Sequence, residues 1–141
     1  MRYKIPIDII ELESNNYHLI VRSNFADGSK GNWVVDTGAS KSVFDKNLAE
    51  LCLMSDNETE ELHSAGISDK PMTTELAFMK PFSFGKFETT EMKVALLDMT
   101  HINELYAKVS DIQVCGLLGS DFLMKYKGVI DYRRKRMLLY K

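Results

Sequence analysis

The chain has 141 residues, of which 45% are hydrophobic and 27% charged, and its formal net charge is −2. That length is enough for one domain, residues 1–141, with a real core, and the composition is too apolar for a disordered chain. Acidic and basic residues are mixed, which leaves no broad basic surface for nucleic acid, and no apolar run approaches the roughly 20 residues of a membrane-spanning helix.

Strand patterns dominate from the start. "KIPIDII" and "YHLIVRSNF" show apolar alternation or β-branched runs, and "ADGSKG" is a turn leading into the strand "NWVVD". The N-terminal stretch has no sustained apolar segment before a small-residue cleavage site, so no signal peptide is expected. "KSVFDKNLAELCL" predicts a short strand and then a helix capped by Asp45, with Leu48, Leu51 and Cys52 on one face. The polar, acidic segment 53–61 reads as an exposed connection. Residues 62–74 then read as a hairpin with its tip near Ala65-Gly66, and a second hairpin turns at Gly85-Lys86.

"HINELYAKV" predicts a short helix. "DIQVCGLLGSDFLMKYK" begins as an apolar strand, breaks at Gly119 and continues as a helix from Ser120, where Asp121 suits the helix dipole. "GVIDYRRKRMLLYK" closes the chain as a hairpin turning through Arg133-Arg134-Lys135-Arg136. A short basic run between apolar segments is a solvated turn, and no nucleic-acid partner is expected from it. Cys52 and Cys115 lack metal-type spacing and read as plain buried thiols, which favours a reducing, cytoplasmic setting. His18, His63 and His101 form no ligand pair, so no metal and no cofactor are expected.

The segment "WVVDTGASKSVF", residues 33–44, raises a chemical question. An apolar strand drives straight into a carboxylate, Asp36, and a glycine follows at once. An isolated buried charge is costly, so Asp36 either caps a turn or is held there for chemistry. The later "LLG" before a helix, at Leu117-Leu118-Gly119, echoes the same strand-then-glycine pattern.

Together "VVDTGAS" and "GLLGSDF" resemble the aspartic proteases, and most of all the single-lobe retropepsin-like group. The resemblance spans roughly residues 15–140. It implies a mostly β fold, a retropepsin-like closed β-barrel or acid-protease half-lobe with short helices, acting as a homodimer on an extended peptide or protein substrate. In such a site two carboxylates activate a water and protonate the leaving amide. Like charges held that close cannot both ionise and so share one proton, the behaviour for which aspartic proteases are the reference case. The resemblance makes Asp36 catalytic, with Thr37 and Gly38 supporting the active-site loop. It places Ala39, Ser40, Ser64, Ala65, Gly66 and Ile67 against substrate, the last four on a flap, and makes Leu117, Leu118 and Gly119 the floor, beside Val34 and Val35.

Only one Asp-Thr-Gly is present, so a single chain supplies half of the carboxylate pair. Catalysis then requires a second copy about a two-fold axis. The resemblance also implies that the terminal segments, Tyr3-Lys4-Ile5 and Met137–Tyr140, interleave across that dimer. Retroviral members commonly join the two glycine segments by an Asp–Arg ion pair, and Ser40 and Ser120 stand at those places here. The alternative of another class is a non-catalytic dimeric peptide-binding module of the same fold.

Overall fold

A computed structural model of the chain describes residues 1–62 and 72–141, and of residues 53–62 and 72–74 it describes the backbone alone. The expected flap residues Ser64, Ala65, Gly66 and Ile67, and His63 with them, lie outside the described residues.

The strands are β1 (Arg2–Pro6), β2 (Asp8–Glu13), β3 (Asn16–Asn24), β4 (Lys30–Val35), β5 (Val43–Asp45), β6 (Cys52–Leu62), β7 (Met72–Met79), β8 (Ser83–Phe84), β9 (Phe87–Glu88), β10 (Met92–Leu97), β11 (Val114–Leu118), β12 (Val129–Asp131) and β13 (Arg136–Tyr140). A 3-10 helix follows β5 at Lys46–Leu51, α1 covers Thr100–Ala107 and α2 covers Ser120–Lys125. The expected KIPIDII strand is split at Ile7, which is buried and whose N–H donates to the Lys135 carbonyl instead of to a neighbouring strand.

The larger sheet runs β6-β7-β10-β5-β11-β4-β3-β8-β9, with β2 also paired to β3. Its centre is β11, parallel to β4 and antiparallel to β5. A strand flanked on both sides must be apolar throughout, and "VCGLL" is. Gly116 is what allows the packing. A Cβ there would stand 2.2 Å from the Val43 carbonyl oxygen and 2.7 Å from the Trp33 ring. Trp33 is fully buried, stacks on Phe82 at 5.3 Å, and donates from Nε1 to Ser23 Oγ at 2.9 Å. Phe25, Phe44, Phe84, Phe87 and Phe122 extend this aromatic core, each burial contributing on the order of 1.5–3 kcal/mol.

The closed barrel expected from the resemblance is not what forms. Among the described residues the path of paired strands stays open, because β6 and β9 each pair on one side only. β8 and β9 have two residues each, too few to carry a ladder onward. The terminal strands make a separate three-stranded sheet, β1-β13-β12.

Two further expectations are corrected. Residues 53–61 are not a connection but part of β6, laddered against β7 from Cys52↔Met79 to Leu62↔Met72. Strand pairing there overrides a composition that is poor for sheet. The terminal segments pair within one chain, from Arg2↔Tyr140 to Pro6↔Arg136, and β12 occupies the other edge of β13. With both edges filled and Met137 and Leu139 fully buried, β13 cannot interleave with a partner's strand. Among the described residues, no helix is long and apolar enough to cross a membrane.

Candidate active site

Asp36 sits where β4 ends. Its N–H donates to the Leu118 carbonyl at 2.9 Å, so the parallel β4–β11 pairing runs one step past the strands and delivers the carboxylate beside the end of β11. The chain then turns: Ala39 N donates to the Asp36 carbonyl at 3.1 Å, and Gly38 N donates to Asp36 Oδ1 at 3.0 Å. The side chain is therefore aimed by its own turn, an Asx-type bond. Asp36 is half-buried, and among the described residues Oδ2 accepts no hydrogen bond.

Gly119 fixes the other half of the crossing. A Cβ at 119 would lie 2.6 Å from the Ala39 carbonyl oxygen and 2.9 Å from the Lys41 carbonyl carbon. With no Cβ, the two loops touch, and Ser120 N donates to the Ala39 carbonyl at 2.7 Å. Ser42, completely buried, completes the clamp. Its N–H and hydroxyl donate to the two Asp121 carboxylate oxygens at 3.0 and 2.8 Å, while its Oγ accepts from Gly119 N at 2.9 Å. Asp121 is thus more than a helix-start acid, and Ser42 was not among the expected site residues. A hydroxyl directly before the apolar strand β5 was the available signal.

A cavity of about 440 Å³ opens beside Asp36 and Thr37. Val34, Val35 and Leu117 line it. Leu118 does not line it; strand alternation turns Leu118 into the core, where it is fully buried, and Gly119 serves loop contact. The remaining walls come from residues that sequence reasoning did not single out for the site: Leu12 and His18 on the β2–β3 hairpin, Ile102 and Tyr106 on α1, and Ile130 and Tyr132 at the last hairpin. No sequence-local pattern links these segments. Among the described residues lining this cavity, Asp36 is the one carboxylate.

Thr37, Gly38 and Ser40 are exposed, and among the described residues the Thr37 hydroxyl makes no hydrogen bond. Ala39 is half-buried, with its carbonyl committed to Ser120. Both thiols lie away from the site. Burial pushes Cys52 up to about 11 and Cys115 well above the ordinary thiol range. Neither is a nucleophile near neutral pH. Among the described residues no group of His, Cys, Asp and Glu could hold a metal ion.

A family model described as aspartyl protease matches residues 21–122. Among solved structures, the fold is similar to that of a retropepsin-like aspartic protease from Rickettsia conorii, with 18% identity and a TM-score of 0.55 over 99% of this chain and 91% of that one. It is also similar to the retroviral protease-like domain of Ddi1 from Leishmania major, with 15% identity and a TM-score of 0.50 over 85% of this chain and 90% of that one. At these identities the likeness is one of fold. Among curated proteins, none matches the chain in sequence.

Proposed function

The chain belongs to the aspartyl protease family and has a retropepsin-like fold, and from that premise we propose that residues 1–141 form one aspartic endopeptidase domain that works as a homodimer. The observation that carries this reading is the setting of Asp36: a turn-held carboxylate whose Oδ2, among the described residues, accepts no hydrogen bond, at the edge of a largely apolar cavity in which the described residues place no second acid. A lone carboxylate can act as base or as acid, but amide hydrolysis needs both at once. A second copy about a two-fold axis supplies the partner Asp36.

In this mechanism a water lies between the two Asp36 carboxylates. One takes its proton as it attacks the scissile carbonyl, and the other protonates the departing amide nitrogen. The apolar walls lower the local dielectric and strengthen both interactions. The Thr37 hydroxyl, without a hydrogen bond among the described residues, bonds across the dimer in this reading, and Gly38 lets the two loops approach. Substrate lies as an extended strand along Gly38, Ala39 and Ser40 on one side and the 62–74 hairpin, with Ser64, Ala65, Gly66 and Ile67, on the other, a form of strand addition.

The test is turnover of a degenerate peptide library between acid and neutral pH, with Asp36→Asn as control. Cleavage by the wild type alone supports the endopeptidase. Peptide binding with no turnover in either protein would favour a binding module of the same fold.

A further inference from the structure

Resting on the protease reading above, we infer that His18 is a specificity-determining residue, whose Nε2–H donates to an acceptor-bearing side chain of the substrate lying beyond the apolar side chain seated against Asp36.

The cavity beside Asp36 does not end at His18. A second cavity, of about 630 Å³, runs along the β2–β3 hairpin and the C-terminal end of α1. The two share Leu12, Tyr17, His18 and Leu105, so they adjoin, with His18 at the boundary between them. Tyr17, Leu105, Val109 and Tyr132, four of the large apolar side chains left exposed by the fold, line these cavities. Apolar side chains gathered at a cleft mark a surface that binds something. Its continuity with Asp36 makes an extended peptide the occupant, with alternate side chains pointing into the cavities.

Against this apolar lining, His18 is held in a defined state. Its ring meets Tyr106 edge-on at 5.6 Å, and Tyr106 Oη lies 2.9 Å from Nδ1. Tyr106 is 2% exposed, and burial pushes its hydroxyl up to about 12, so it keeps its proton. Among the described residues that hydroxyl has no other partner, and its proton is best used in donating to Nδ1. The ring proton then sits on Nε2, which among the described residues has no acceptor. Glu13 and Lys108 line the far end with opposite charges, so net charge does not select the peptide there. The unpaired donor does: a substrate that covers it without an acceptor leaves it desolvated and unsatisfied.

The test profiles library cleavage by wild type, His18→Gln and the double variant His18→Leu/Tyr106→Phe, in which neither polar group is left orphaned. Wild type should favour Asn, Gln, Ser, Thr or an acidic residue over Leu at one position by about tenfold in kcat/KM. The double variant should lose or invert that preference, His18→Gln should keep most of it, and the apolar preference next to the cut should not move. An unchanged preference in the double variant overturns the inference while leaving the protease reading intact. If wild type cleaves nothing, the protease reading falls, and the library is instead panned for binding. Equal retention of acceptor-bearing peptides by wild type and double variant then overturns the role of His18, and selective loss in the double variant upholds it. Should the double variant fail to fold, Tyr106→Phe decides. With the tautomer no longer fixed, the preference must fall about threefold or more, and no change overturns the inference.

Discussion

Ser42 and Asp121 make a two-point contact, N–H and hydroxyl to the two carboxylate oxygens, across a separation of 79 residues. They join the loop that follows Asp36 to the first turn of α2. The same two segments are joined in retroviral members by an Asp–Arg ion pair, whose places hold Ser40 and Ser120 here. A charge-assisted hydrogen-bond clamp from neighbouring positions stands in for it.

Ser42→Ala should therefore destabilise the protein and disorder the site together. The change strands Gly119 N in a buried setting and removes one of the two bonds to Asp121 Oδ1, which keeps the Phe122 N–H, a cost of about 1–3 kcal/mol. The expected result is a melting temperature several degrees lower and a lower kcat with the same products. A variant with wild-type stability would show that the clamp is redundant.

Asp36→Asn should abolish turnover with no change in fold, because the carboxamide oxygen can still accept from Gly38 N. Circular dichroism and peptide cleavage measure the two halves of this claim. Residual activity above about one tenth of wild type is incompatible with a general acid–base role. For the wild type, the pH–rate profile should be bell-shaped, with both limbs belonging to the carboxylate pair jointly.

The homodimer predicts a concentration dependence that no monomeric enzyme shows. Specific activity should fall on dilution as the dimer dissociates. Mixing equal amounts of wild-type and Asp36→Asn chains should leave about one quarter of the dimers fully competent by random pairing. Sedimentation at matched concentrations gives the mass. Full activity from a strict monomer would end the one-carboxylate-per-chain mechanism.

A stability test away from the site concerns Asp98, which precedes α1. It accepts from the Thr100 hydroxyl, from Thr100 N and from Asn47 Nδ2, and these bonds hold its carboxyl down at about 2, below the ordinary 3.8. A depressed carboxyl stabilises the fold above its unfolded pKa and loses that contribution as pH falls through the folded value. The melting-temperature gap between wild type and Asp98→Asn should hold steady at neutral pH and close as pH falls from about 4 toward about 2. A gap independent of pH would mean that the bonds do not favour the charged form.

What could be read from the sequence was local. The Asp36 turn, the break at Gly119, the cap at Asp45, the helix start at Ser120 and the basic hairpin turn are each written within a few consecutive residues. What could not be read was long-range pairing. Nothing in the acidic run of β6 announces a strand until β7 is placed beside it. Whether the sheet closes depends on what the short strands β8 and β9 can reach, which local pattern does not encode. The cavity walls failed for the same reason: His18 and Tyr106 are 88 positions apart and meet only because α1 packs against the sheet to which β3 belongs.

The pairing of β1 with β13 has a consequence for how the molecule comes into being. Arg2 pairs with Tyr140, so β1 has no partner until β13 has been made. Contacts of such wide sequence separation form late, after shorter loops have closed. A nascent chain can therefore assemble the β4–β5–β11 crossing around Asp36 before its terminal sheet exists, but it must hold Ile5 uncovered until β13 arrives.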